Sequence, residues 1–360
     1  MSRYKICVYA ICKNEEQFVD RWMDAVSEAD LVVVLDTGST DATAEKLRAR
    51  GALVYEETIS PWRFDTARNI AMDHIPEDID ICISNDLDEV FEPGWRQRLE
   101  DAWQPPNTRA RYLFVWSHRP DGSIEKQYPM EKIHRRKGFR WVHPVHEVLQ
   151  FSGPEPESVV WVSGMVLHHY PDNSKPRAEY LPLLELSAKE NPEDDRTVFW
   201  LGREYMYHGM HDPCIATLKR HLSLPSALWD VERCASMRFI AKCYQAKGDM
   251  KQAQVWLYRA IAECSYVREP YHQMARLGYL LNDWPLTFLM TEKALAITDK
   301  AGGYLLEPAS WGYSLYDLAA IACYRLGLYE KSHAYAKTAC DMEPNDQRLA
   351  NNLRLIEAKL

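Results

Sequence analysis

Apolar and polar positions follow two different rhythms along this chain, and the change comes near residue 175. Before it, short apolar runs alternate with amphipathic segments. Residues 6–12 are almost wholly apolar, as a strand buried on both faces should be. Asn14 can cap a following helix that carries Phe18, Trp22 and Val26 at i, i+4 and i+8. Residues 31–35 read as a second buried strand ending on Asp36, followed by a Gly-Ser-Thr-Asp turn and a helix over about 41–50. A third strand is expected over 52–55, a helix capped by Asp65 through residue 73, and a fourth strand over 79–84 that ends on Asp86 and Asp88. This strand–helix alternation predicts an α/β domain with a mostly parallel central sheet. After Gly94, β-rich runs at 112–116, 139–151 and 158–167 predict antiparallel additions to that sheet.

From residue 175 onward the period is helical, and glycine becomes punctuation. Small residues followed by tyrosine recur, with turns expected at Gly209, Gly248, Asn282-Asp283 and Gly327. The units at 241–260 and 318–344 resemble tetratricopeptide repeats, helix–turn–helix units of about 34 residues, in a degenerate array. A plain helical bundle is the alternative. The expected domains are 1–174 and 175–360.

Composition narrows the class. With 360 residues, 46% of them hydrophobic, and 12 Trp and 20 Tyr, the chain can build two sizeable cores and is not a disordered or fibrous protein. Lys and Arg number 43 against 52 Asp and Glu, a net charge of −9, so a phosphate-rich partner would have to be held by a local basic patch and not by bulk charge. Nine cysteines form no Cys-x-x-Cys pair and suit reduced, mostly buried thiols. Neither a secretory leader nor an apolar run long enough to cross a bilayer is apparent, so a cytoplasmic location is expected.

Chemistry is expected at the strand ends. Ligands of open parallel sheets bind outside the carboxyl ends of the strands, where three polar clusters fall: Lys13-Asn14-Glu15, Asp36, and Asp86-Leu87-Asp88. A glycine-rich phosphate loop is lacking. Phosphate binding would then need basic side chains or a hard divalent cation held by carboxylates. Each acidic residue could instead serve as a cap or a solvated turn.

Four blocks, at residues 11–16 (Ile-Cys-Lys-Asn-Glu-Glu), 34–43 (Val-Leu-Asp-Thr-Gly-Ser-Thr-Asp-Ala-Thr), 65–69 (Asp-Thr-Ala-Arg-Asn) and 85–89 (Asn-Asp-Leu-Asp-Glu), together resemble family 2 glycosyltransferases of the GT-A fold. The resemblance covers about 4–100 specifically and 100–175 loosely. It implies a metal-dependent inverting transferase using Mn²⁺ or Mg²⁺ and a UDP-sugar, with a glucose-type donor favoured. Asp36 would accept the imide N–H of the base, and Glu15 would contact the nucleoside. Arg68 would approach the nucleotide, Asp86 would bind the ribose and Asp88 the metal. Leu87 departs from the small residue usual there and would narrow the sugar pocket.

Val145-His146-Glu147 and Val166-Leu167-His168 resemble segments in the acceptor half of related enzymes. The resemblance assigns His168 to the metal, with His169 in reserve; an inverting transfer also needs a base for the acceptor proton, and Glu147 is the carboxylate expected there, with Glu131 behind it. The basic run Lys132, Arg135, Arg136, Lys137 and Arg140 is either a solvated face or a loop closing over the diphosphate. Trp116, Tyr128 and Trp141 suit either a core or stacking on a sugar or a base. The acceptor stays open among saccharide, peptide and modified nucleobase. The repeats could bind a peptide, dock a partner, lengthen the acceptor groove or form a homodimer. Two other readings are a metallohydrolase built on His143, His146, Glu147 and His168, and a non-catalytic repeat scaffold carrying a relic domain.

Overall fold

An apolar run such as Ile6–Cys12 is stable only where both faces of the strand are covered, and the first unit of the chain supplies both covers. The computed structural model describes residues 3–172, 180–301 and 303–360. Two compact units divide it, Met1–Ser187 and Ala188–Leu360; the boundary expected at 174/175 lies outside the described residues. In the first unit the elements run β1 (Ile6–Cys12), α1 (Val19–Ala25), β2 (Leu31–Asp36), α2 (Thr43–Ala49), β3 (Leu53–Glu56), α3 (Phe64–Asp73), β4 (Ile81–Ser84), β5 (Glu89–Phe91), α4 (Trp95–Ala102), β6 (Arg109–His118), β7 (Ile124–Arg135), β8 (Phe139–Val142), β9 (Val148–Phe151) and β10 (Val159–His169). Helix α5 (Tyr180–Glu190) follows.

Eight strands make one sheet in the order β3-β2-β1-β4-β7-β6-β10-β5. Strands β1 to β4 are mutually parallel; β7 is antiparallel to β4 and β6, β10 is parallel to β6, and β5 is antiparallel to β10. Six strands therefore point one way, and the carboxyl ends of β1, β2, β4, β6 and β10 share one edge. Side chains alternate across the pleat. Ile6, Val8, Ala10 and Cys12 of β1 pack on one face with Trp22 of α1 and Trp95 of α4. Cys7 and Tyr9 pack on the other with Ala67 and Ala71 of α3 and with Trp141.

Two expectations need correction. The run at 139–151 does not join the main sheet: β8 and β9 form a separate two-stranded ribbon, whose Phe139, Trp141 and Leu149 cover α3 and one face of the sheet. Nor is the run at 158–167 antiparallel throughout: β10 pairs antiparallel with β5 but parallel with β6, through a register shift between Trp161 and Val166.

In the second unit, α6 (Asp195–Tyr207) packs on α7 (His211–Ser223), α8 (Asp230–Ala246) on α9 (Met250–Glu263), α10 (Glu269–Leu280) on α11 (Trp284–Leu295) and α12 (Tyr313–Arg325) on α13 (Tyr329–Met342), with α14 (Gln347–Glu357) against α13. The hairpins share one register. Each turns on a residue in the left-handed region, Gly209 (φ 68°), Gly248 (φ 79°), Asn282 (φ 57°) and Gly327 (φ 75°), the four positions the sequence marks. Seven residues before each turn stands a small buried residue, Gly202, Ala241, Ala275 or Ala320. Five residues after each turn stands another, Cys214, Ala253, Thr287 or Ser332, with no exposed surface. Small residues at both positions let paired helices approach closely, which defines a tetratricopeptide-like repeat. Gly248 and Asn282 are 34 positions apart; the wider spacing after Asn282 holds two short 3₁₀ turns, Gly303–Leu305 and Pro308–Ser310. Among the described residues, no helix is long and apolar enough to cross a membrane.

Close approach gives a direct test. A Cβ added at Gly278 would lie 2.7 Å from Thr287 Oγ1 and 3.1 Å from the Thr287 backbone nitrogen. We expect Gly278→Ala to lower stability by about 1–3 kcal/mol, as overpacking does, read as an earlier urea midpoint in far-UV circular dichroism. A midpoint equal to that of the parent chain would show that α10 and α11 can separate at no cost.

Candidate active site

The loops at the carboxyl ends of β1 and β2 are tied to each other. Asn14, at φ 54°, does not cap α1; its N–H donates to Ser39 Oγ at 2.9 Å, and its Oδ1 accepts from the Thr40 N–H at 2.7 Å. The Glu15 N–H donates to Thr43 Oγ1 at 2.8 Å. Asp41 Oδ1 accepts from the Thr43 N–H at 3.0 Å, in the turn that leads into α2. Asp36 is 2% exposed. Its Oδ1 accepts from the Gly38 and Ser39 N–H groups at 2.8 and 2.7 Å, while Oδ2 faces the Cys12 thiol at 3.7 Å. The turn thus fixes the carboxylate at the sheet edge.

Two strands away, the segment after β4 enters a buried charge cluster. Arg68 on α3 grips both oxygens of Asp86, Nη1 to Oδ1 at 2.7 Å and Nη2 to Oδ2 at 3.0 Å, and its Nε donates to Glu147 Oε1 at 2.5 Å. Lys132 on β7 reaches Asp86 Oδ2 at 3.2 Å and Glu89 Oε1 at 3.0 Å. Burial opposes ionisation of Asp86, but the charges of Arg68 and Lys132 together outweigh it and hold the carboxyl well below the usual carboxylate range. Burial dominates at Glu89 and raises its carboxyl, with Lys132 offsetting part of the effect. Leu87 between the aspartates has no exposed surface and packs with Val8, Trp22 and Phe91. It points into the core and does not narrow a sugar pocket.

Asp88 and the end of β10 complete the edge. The Tyr170 N–H donates to the Asp88 carbonyl at 2.8 Å, and His169 Nε2 lies 3.2 Å from Asp88 Oδ2. His168 turns to the opposite side, its Nδ1 2.9 Å from His118 Nε2 and its Nε2 3.0 Å from Glu92 Oε1. The histidine placed against Asp88 is therefore His169 and not His168, because neighbouring strand residues face opposite ways. Burial lowers the His169 ring's basicity, but its hydrogen bond to Asp88 and that carboxylate's charge more than reverse the effect, so its pKa is raised. Trp116, 46% exposed, stacks on His169 at 4.6 Å, whereas Trp141 is buried.

Asp36, Arg68, Asp86, Asp88 and Glu147 thus belong to elements meeting at one sheet edge, with Glu15 in the loop beside Asp36. Glu131 instead pairs with Arg109 and Arg111. The metallohydrolase set does not gather: His143 lies 3.5 Å from Ser187, His146 packs on Tyr180, Glu147 meets Arg68 and His168 meets Glu92. Most of the basic run disperses, Arg135 to Glu155, Arg136 to the Ile75 carbonyl and Lys137 to Glu77. Lys132 stood in the basic run and Glu89 in the block at 85–89, but sequence reasoning placed neither against Asp86. The Asp88–His169 pair offers one oxygen and one nitrogen donor and fits a divalent cation. The grouping of three metal-ligand side chains found among the described residues lies elsewhere, in the helical unit.

The ion cluster has a pH signature. Asp86 titrates below its unfolded value of about 3.9, so its contribution to stability is present above that pH and lost as pH falls toward the folded value. Arg68→Ala, which takes the cation from Glu147 and leaves Asp86 with Lys132 alone, should cost about 3 kcal/mol at pH 7 and clearly less at pH 3.5, by urea unfolding. An equal cost at both pH values would mean that Arg68 acts through packing and not through charge.

The family described as Glycosyl transferase family 2 matches residues 7–156. The lipopolysaccharide core biosynthesis glycosyltransferase LpsC of Rhizobium meliloti (strain 1021) is 23% identical over 186 residues, which are 48% of this chain and 65% of that protein. The match thus spans somewhat less than two thirds of that relative. The helical unit is similar to MamA (19% identity, 47% of this chain and 89% of that one, TM-score 0.37). It is also similar to YrrB, a TPR protein with an unusual peptide-binding site (11%, 49% and 82%, TM-score 0.40), and to TTC0263, a thermophilic TPR protein in Thermus thermophilus (18%, 49% and 89%, TM-score 0.34). The repeat assignment rests on the register of the helices' own small residues. The chain carries an N-terminal family 2 glycosyltransferase domain of GT-A-like fold, followed by a tetratricopeptide-like helical repeat region.

Proposed function

We propose that this chain is a metal-dependent, inverting glycosyltransferase that moves a sugar from a UDP-sugar to a saccharide hydroxyl. The observation that supports this most is the convergence of Asp36, the Arg68–Asp86 pair and the Asp88–His169 pair on the edge where β2, β4 and β10 end. In this reading Asp36 accepts the imide N–H of uracil through Oδ2, and Glu15 lies beside the nucleoside. Asp86 accepts from a ribose hydroxyl. Arg68 is a positioning residue that fixes both oxygens of Asp86 before the donor arrives, which removes an ordering cost from binding. Asp88 Oδ2 and His169 Nε2 would hold the cation, and the imidazole in that donor set favours Mn²⁺ over Mg²⁺. Such a cation, when bound, offsets the charge that develops on the departing diphosphate. Glu147 is the proposed base for the acceptor proton, held in the cluster through Oε1 by Arg68. Exposed Trp116 offers an aromatic face to a sugar ring. The saccharide acceptor is favoured by the lipopolysaccharide core named for the Rhizobium relative.

Asp88→Ala should lower Mn²⁺-dependent UDP-sugar hydrolysis or transfer by about 100-fold or more while far-UV circular dichroism is unchanged. Asp36→Ala should weaken UDP in isothermal titration. Undiminished turnover in Asp88→Ala would overturn the reading, and absence of any UDP binding by the parent chain with Mn²⁺ would favour a non-catalytic repeat protein.

A further inference from the structure

A second set of metal-ligand groups lies in the helical unit, remote in sequence from the strand ends. Asp195 in the first turn of α6, His221 in the last turn of α7 and Glu232 in the first turn of α8 each present one ligand atom, and these atoms all lie within 4.8 Å of one another. His221 has no exposed surface, Glu232 is 6% exposed, and Asp195 is half-buried.

Orientation distinguishes the group from an ordinary buried ion pair. His221 Nδ1 lies 2.9 Å from Ser236 Oγ. When Nδ1–H donates there, Nε2 carries the lone pair, as a ligating histidine requires. Nε2 is buried and without a hydrogen-bond partner: Glu232 Oε1 is 3.4 Å away but out of line for a hydrogen bond. Buried polar atoms are rarely left in that condition. The other Glu232 oxygen accepts from the Tyr304 hydroxyl, which leaves Oε1 as the oxygen nearest Nε2. Both inner ligands are thus held by outer partners, Ser236 and Tyr304, as in protein metal sites. Trp200 stacks on Tyr304 at 5.6 Å and Phe199 packs on His221 at 5.5 Å, which places apolar rings around the group. One imidazole nitrogen and two carboxylate oxygens suit a borderline divalent ion, and two carboxylates balance its charge.

We propose that Asp195, His221 and Glu232 bind a divalent transition-metal cation, preferentially zinc, which fastens α6, α7 and α8 together at the start of the repeat. The cation would act by mass action on the folded form, because the unfolded chain does not hold the three ligands together.

The full chain carrying Asp88→Ala, which takes the strand-end ligand pair out of play, is stripped with chelator and titrated with zinc by isothermal calorimetry. One zinc per chain is expected, with a higher thermal midpoint. Adding Asp195→Asn, a near-isosteric change at a half-buried position, should weaken zinc at least tenfold and remove most of the midpoint shift. Adding His221→Gln should abolish binding. Cobalt in place of zinc should give a visible absorption band in the Asp88→Ala chain that Asp195→Asn removes. If no zinc binds to the Asp88→Ala chain, or if it binds equally with Asp195→Asn and Glu232→Gln, the proposal is overturned.

Discussion

A buried guanidinium has to be matched by carboxylates, and Arg68 meets this requirement by drawing three separate stretches of the first unit together. It lies on α3, Asp86 follows β4, and Glu147 precedes β9. Lys132 adds β7 through Asp86 and Glu89. Removing one partner leaves a charge buried without its counter-ion, which costs far more than a surface ion pair contributes. The cluster therefore fixes the geometry of the sheet edge as well as its charge, and its position against the Asp88–His169 pair follows from the same strand ends.

The helical unit reaches its order by a different route. Steric fit replaces charge: small residues sit at equivalent places on both helices of each hairpin, and left-handed turn residues set the reversal. Where polar groups enter these contacts they are satisfied locally, as when Ser332 Oγ donates to the Ala320 carbonyl at 2.8 Å. A repeat built this way tolerates variation elsewhere along its helices, which accounts for uneven spacing between turns alongside a constant internal register.

Much of this was legible in the sequence for identifiable reasons. Parallel strands carry their signature in continuous apolar runs, and their polar carboxyl ends followed directly, so Asp36, Asp86 and Asp88 were expected where they are found. All four repeat turns were marked by Gly or Asn, the residues that accept a left-handed backbone. Side-chain direction near the end of β10 was not legible. A register shift between Trp161 and Val166 breaks the count of alternation, so nothing in the sequence distinguished His168 from His169. The β8–β9 ribbon was missed because an apolar–polar alternation does not say which sheet a strand joins. Long-range charge partners such as Lys132 were missed because their pairing exists only once the strands are assembled.

Leu87 carries a consequence beyond its own packing. As a core residue between Asp86 and Asp88, it rivets the loop after β4 to the hydrophobic layer under the sheet. The loop is pinned from beneath: a large displacement of Asp86 or Asp88 would have to draw a fully buried leucine out of that layer. A substitution at this position acts first on the volume of an interior side chain, which leaves the polar rim to be tuned at its neighbours.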